Sequence, residues 1–228
     1  MSSSFLSCGL STLRPLRPLD YLTGKHYMTG EMHHDANGQP GGRNPAPGEL
    51  ALVQTFLNTR WDLTAQDHGE TLVSPAALHE WLEARGLIGR RDPLDPEDLD
   101  RALATREGLR ALAFANNQQE LNTHAIDRMR RASVGAASQI RIEPDGPQFV
   151  AGGPTPIDAA IGAIFAITAR AMIDGTWQRL KACPGRGCGW AFYDHSRNQS
   201  ARWCSMKVCG DREKARAYYQ RKTGLDRS

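Results

Sequence analysis

Four cysteines crowd one C-terminal stretch as two Cys-x4-Cys pairs, Cys183-Pro-Gly-Arg-Gly-Cys188 and Cys204-Ser-Met-Lys-Val-Cys209, with fifteen residues between them. A pair at that spacing turns both sulfurs toward one point, and two pairs supply the four thiolates that tetrahedral Zn²⁺ takes in a closed structural site. Glycines at 185, 187, 189 and 210 let the backbone curl around an ion without Cβ clashes. Two disulfides, or unlinked buried thiols, are the competing readings. Disulfides require an oxidising compartment, which nothing else in the sequence supports. One structural zinc on Cys183, Cys188, Cys204 and Cys209 is therefore expected, and Cys8, far from the rest, is expected to have no role.

The ligands need elements to hold them. Between the pairs, Gly189-Trp-Ala-Phe-Tyr193 reads as a strand, Asp194 to Asn198 as a turn, and Ala201-Arg202-Trp203 as the returning strand of a hairpin. Residues Asp211 to Lys222 are good helix formers. A knuckle, a hairpin and a helix whose first turn carries the last ligand resemble a treble clef. So small a module buries too little apolar area alone, so the metal is expected to hold it folded.

Net charge is +3, but unevenly spread. From Lys181 onward eleven Lys and Arg stand against four Asp and Glu, while the rest of the chain holds 17 against 21. A basic end on an acidic body suggests an appended polyanion-binding module. In the last helix Lys214 and Arg221 share one stripe and Arg212 and Arg216 another, with Ala215, Tyr218 and Tyr219 expected to pack on the finger. Arg197, Arg202 and Lys207 add charge from the hairpin side. The bland alternative is a solvated basic helix; beside a zinc module, DNA is the expected partner.

Upstream, the reading is mostly helical. Helices are expected over 48–58, from Ser74-Pro75 to Gly86 or Gly89, from Asp95-Pro96 to about Asn117, over 118–131, and over 156–173 as the most apolar and central one. In the fourth of these, Leu121, Ala125, Ile126 and Met129 should face inward. Strands are expected at 139–143 and 148–151 around a Pro-Asp-Gly-Pro turn. The fold class is thus mainly α with a small β-hairpin, a helical N-terminal domain followed by a treble-clef-like finger. Arg106 and Arg110 fall on the apolar side of the third helix, and buried unpaired charges are costly. Either their stems cover apolar surface and their heads reach water or an internal carboxylate, or, with Asn58, they line a pocket for a small anionic ligand.

Residues 1–47 lack periodicity and contain Arg14-Pro15-Leu16-Arg17-Pro18, which fits neither a helix interior nor a central strand. They read as disordered, or as an extension upstream of a start at Met28 or Met32. His33-His34 there reads as solvated. No secretion-signal core and no run of eighteen apolar residues is evident, so a cytoplasmic protein without a membrane span is expected.

The finger residues resemble a known type. Phe192-x-Asp194-x-Ser196-Arg197-Asn198, Arg202-Trp203-Cys204-Ser205-Met206 and Cys209-Gly210-Asp211-Arg212-x-Lys214 resemble the CGNR-type zinc finger. Asp211 stands where Asn is usual, and Ala201 where an Arg is common. Phe56-Leu57-Asn58-Thr59, Trp81-Leu82 and Leu109-Arg110 resemble the ABATE domain that precedes this finger. The resemblance covers roughly 48–222. It implies a bacterial, stress-responsive transcription regulator, with DNA binding in the finger and ligand sensing in the helical part. Boundaries follow at 1–47, 48–178 and 179–224, and homodimerisation is an expectation.

Two other classes compete. A redox-sensing or protein-interaction zinc module would use thiolates made oxidisable by nearby Lys and Arg. An enzyme would need more than Asp194-His195, or Glu70 near His68: four thiolates leave zinc no open position, and no phosphate loop or nucleophile motif is present. No catalytic residue is expected.

Overall fold

The structure, a computed structural model, describes residues 42–62, 69–144 and 146–223. Helix α1 (Leu50–Leu57), α2 (Pro75–Glu83), α3 (Pro96–Ala115) and α4 (Thr123–Ala132) lead to an antiparallel hairpin of β1 (Ala137–Glu143) and β2 (Gly146–Gly152). Helix α5 (Pro156–Ile173) and a short 3₁₀ turn then feed a second hairpin, β3 (Leu180–Ala182) and β4 (Ala191–Tyr193). A π-turn over Met206–Gly210 opens α6 (Asp211–Thr223).

Helix starts fall where the chemistry demands. Ser74, Asp95 and Thr155 each accept a backbone N–H at the N-cap, and each is followed by proline at the first helical position. Asp95 and Asp98 close a reciprocal capping box on α3. The expected fourth helix begins later than its pattern suggests. Gln118 takes a left-handed φ of 59° and the chain stays irregular until Asn122 caps α4. That leaves Leu121 outside the helix and exposed, while Ile126 is buried.

The core is built on α5, whose Ile157, Ile161 and Ile164 are buried against α1 and α3. By length and composition α5 is apolar enough to cross a membrane, with mean hydropathy 1.5 over 18 residues, although Asp158 and Arg170 interrupt its apolar run. More than half of it is buried inside the protein, as a core helix requires.

The core does not stop where the finger begins. Leu180, Ala182, Ala191 and Tyr193 belong to the main cluster, whereas Trp190 and Phe192 pack with Cys183, Cys204 and Cys209. Successive strand residues point to opposite faces. One three-residue strand therefore serves two cores.

The ordered chain also starts before Gly48. Ala46 is buried and its N–H donates to Gln54 Oε1 at 2.7 Å, so 42–47 is a structured strap, correcting the reading of 1–47 as one extension. Met28, Met32, Cys8, His33-His34 and the Arg-Pro stretch lie outside the described residues, as does His68.

Candidate metal centre and nucleic-acid interface

Cys183 directly follows β3 and Cys188 follows the knuckle, which closes when Cys188 N–H donates to Gly185 O and Gly189 N–H to Cys183 O. A side chain at Gly185 would put its Cβ 3.2 Å from the Cys209 sulfur, a tight contact that glycine avoids as the knuckle passes the cluster. Cys204 lies in the loop after the hairpin, and Cys209 on the π-turn that starts α6. All four sulfurs lie within 4.8 Å of one another.

Their separations fit one ion. Cys188–Cys204 and Cys204–Cys209 are both 3.6 Å. Four sulfurs at about 2.3 Å from a tetrahedral zinc stand about 3.8 Å apart, whereas a disulfide needs about 2.05 Å. All four are free cysteines, so the disulfide reading is set aside. Hydrogen bonding from Cys188, then Cys204 and Cys209, holds the Cys183 thiol far below its ordinary value, while Cys188 and Cys204 are pushed up chiefly as donors to Cys183. Sulfurs packed this closely cannot all ionise alone. A divalent cation removes that conflict, and the cluster holds a single structural zinc.

The fifteen residues between the ligand pairs are organised differently from the expected hairpin. Strand β4 pairs with β3, Phe192 opposite Lys181, and not with Ala201-Arg202-Trp203. The strand partner precedes the first cysteine, so the hairpin encloses the knuckle. The returning loop is held by Asp194, fully buried: its Oδ1 accepts from the Ser196 N–H and hydroxyl, and its Oδ2 from Ala201 N–H and, at 2.8 Å, Lys181 Nζ. Burial pushes this carboxyl up, but Lys181 and Ser196 outweigh it and hold it below the usual range. His195 is exposed, with Nε2 3.2 and 3.1 Å from the carbonyls of Asn44 and Pro45.

The anion pocket expected of Asn58, Arg106 and Arg110 is replaced by something else. Arg106, 1% exposed, makes a two-pronged ion pair to Glu70 at 2.7 and 2.6 Å, and also donates to Thr59 Oγ1 and Glu107. Arg110, 2% exposed, donates to Glu107, to Gly189 O at 2.6 Å, and to the carbonyls of Leu57 and Arg60. Asn58 exchanges two hydrogen bonds with the backbone of Ala191, Nδ2 to O at 2.9 Å and N–H to Oδ1 at 2.7 Å, imitating a neighbouring strand. Arg110 and Asn58 are committed to the finger, and Arg106 to Glu70, Thr59 and Glu107 within the body, rather than offered to a ligand. The internal-carboxylate alternative is the one the geometry matches. Glu70, drawn above as half of an acid–base pair, is thereby consumed by Arg106.

More of this seam was invisible in the sequence. Asn117 Nδ2 donates to Ala182 O and Arg202 O, and Asn116 Nδ2 to Trp177 O and Leu180 O. Gln54 Nε2 reaches Ala191 O. Arg43 donates to Cys204 O at 2.8 Å and Trp203 O at 3.0 Å while lying over the Phe192 ring. Amides and guanidiniums against backbone carbonyls leave no spacing rule to find, and only the Asn116-Asn117 pair at a helix end hints at them.

Of the residues expected to meet DNA, Arg197, Arg202, Lys207, Arg212, Lys214 and Arg221 are exposed, while Arg216 is half-buried and paired with Glu213 at 2.6 Å. Lys214 lies 3.5 Å from Asp211, and Arg202 leans over Trp203. At about 100° per residue the Lys214/Arg221 and Arg212/Arg216 ridges lie on nearly opposite sides of α6. Tyr218 and Tyr219, expected against the finger, are instead 56% and 63% exposed and meet edge to face. The helix projects from its π-turn, and Glu213 reaches back to the knuckle, accepting from Arg186 N–H.

This is a helical body carrying a four-cysteine zinc finger. Residues 50–175 match the family described as "Putative stress-induced transcription regulator" (ABATE), and residues 179–222 match the CGNR zinc finger. The chain belongs to the ABATE family, with a CGNR zinc finger following its ABATE domain. No curated protein matches it.

Proposed function

We propose that the protein is a zinc-dependent, DNA-binding transcription regulator that contacts duplex DNA through α6 and the adjoining loop. The observation that carries this is α6 itself, a projecting helix with basic ridges on two sides. Such a helix lying in a groove presents one ridge to each flanking phosphate backbone. Arg197, Arg202 and Lys207 extend the same exposed basic surface toward the loop between the ligand pairs. The body's role in this reading is to fix the finger's attitude, and no catalytic role is assigned to any residue.

Selection of bound fragments with the full zinc-loaded chain, followed by fluorescence anisotropy across a salt series, tests it. Affinity should fall log-linearly with salt, and exchanging Arg212 and Arg221 for Glu together should abolish binding while zinc content stays at one per chain. No binding at low salt, or binding indifferent to salt, overturns it. A redox-sensing module is the second reading, favoured by one detail: Cys188 is the only ligand cysteine not fully buried. Zinc release at micromolar-scale peroxide would support it, and DNA binding should then vanish with the zinc.

A further inference from the structure

The β1–β2 hairpin lies along α5 but does not fit over it. Its base crosses at Gly162, where a side chain's Cβ would stand 2.5 Å from Ala137 O, and Ser138 Oγ donates to Gly162 O. Its far end is held by Arg170, which donates to Pro147 O at 2.9 Å. The register pairs Ser138 with Ala151, Ile140 with Phe149 and Ile142 with Pro147, so these six share one face. Ser138 reaches α5 and Ala151 packs on the core, so that is the face turned inward.

Ile140 and Ile142 are nonetheless 63% and 79% exposed. They are inward-facing isoleucines on a strand that overhangs the helix meant to cover it. The last turn of α5 leaves Met172 and Ile173 exposed as well. A ribbon whose apolar face is only partly covered by its helix leaves an open edge strand, a template for another strand.

The edge itself says which strand. Arg141 and Glu143 share the outward face, and their partners in β2, Gln148 and Gly146, carry no charge. A two-fold axis perpendicular to the sheet pairs like faces only when it passes through a residue, not between two. Centred on Arg141 it would set two guanidiniums face to face. Centred on Ile142 it sets Arg141 opposite Glu143 of the second copy, twice, and stacks the two Ile142 side chains.

We infer that β1 is a homodimerisation edge, pairing antiparallel with β1 of a second copy about Ile142 to make a four-stranded sheet. The axis keeps both α5 helices on the same side of that sheet. The uncovered Ile140 and Ile142 of each copy then fill the gap between them. The interface is small, so its dissociation constant falls in the micromolar range. This inference stands apart from the DNA-binding reading, since it rests on the β1–β2 hairpin and on none of the finger's residues.

Sedimentation equilibrium of the full zinc-loaded chain over roughly 1 to 200 μM brackets such a constant. The wild-type chain should pass from monomer to dimer, and Ile142→Glu should stay monomeric with unchanged circular dichroism and zinc content. Arg141→Glu and Glu143→Arg should each weaken the dimer about tenfold, because two symmetric pairs become repulsive. The double exchange Arg141→Glu with Glu143→Arg should return it to within about threefold of wild type. A wild-type chain that remains monomeric, a dimer indifferent to Ile142→Glu, growth beyond the dimer, or a double exchange no better than either single one would each overturn the inference.

Discussion

The half of the finger nearest the body and the half that ends in α6 use basic residues in opposite ways. Around the first ligand pair, Arg106, Arg110 and Lys181 are all buried, and their N–H groups go to carboxylates and main-chain carbonyls. Among the described residues beyond Cys209 the cations other than the half-buried Arg216 stand in solvent, on a helix that touches little but its own π-turn. Burial makes a cation depend on its partners, since leaving one uncompensated costs far more than the pair gains. Exposure leaves the charge available to a phosphate, at almost no cost in stability either way. Residue type does not separate structural from functional arginine in this chain; surroundings do.

Removing the zinc should have the largest effect. Structural zinc in small modules contributes about 10 to 16 kcal/mol of apparent binding energy, more than most domains have in reserve. Because Ala191 and Tyr193 sit in the main core and Phe192 in the metal cluster, Cys183→Ser should lower the melting temperature of the whole chain by circular dichroism. A body that melts unchanged without its zinc would break the contrast, showing the inner half to be a tethered module after all.

Truncating Arg110 comes next. Arg110→Ala leaves Gly189 O without its guanidinium donor and takes one donor each from Glu107 and Leu57 O, at an expected cost of about 3 to 5 kcal/mol in denaturant unfolding. DNA affinity per folded molecule should not change. A loss of affinity without a loss of stability would move Arg110 into the functional class.

Asp194→Asn should cost less, about 1.5 to 3 kcal/mol, for the loss of charge-assisted bonds to Lys181 and Ser196. It should also flatten the acid limb of stability. The folded carboxyl is held below its unfolded value, so its contribution is complete above about pH 3.9 and drains away as pH falls through the folded value. Glu107 acts in the same sense: burial raises its carboxyl, but Arg110 and Arg106 pull it down by more. Equal acid sensitivity in the wild-type chain and Asp194→Asn would remove Asp194 as a contributor.

The outer half should show the smallest stability change. Arg212→Ala and Arg221→Ala should each shift unfolding by no more than about 0.5 kcal/mol, yet lower the salt slope of DNA binding by about one phosphate contact. Arg216→Ala should weaken binding less than Arg212→Ala, because Glu213 already occupies its guanidinium. If Arg216 proved the more important, that pair would have to open on DNA.

Local chemistry alone reveals the ligand set, the helix caps and α5. Cys-x4-Cys spacing, Ser-Pro and Asp-Pro starts and a run of isoleucines act within a few residues of where they are written. It also places β1 and β2, whose alternation survives as a register. It misplaces the partner of β4, because a three-residue strand carries no signal of what lies beside it, and Leu180-Lys181-Ala182 is no more strand-like than Ala201-Arg202-Trp203.

The fate of Arg106 and Arg110 belonged to the tertiary structure. Their place on the apolar side of α3 says they need partners, but Glu70 is 36 residues from one, and Gly189 O is 79 residues from the other. The same holds for Arg43 and Asn117, whose acceptors are main-chain carbonyls that every residue possesses. A metal ligand announces itself by element and spacing. A hydrogen bond to a distant peptide group exists only once the chain has folded and brought that carbonyl within reach.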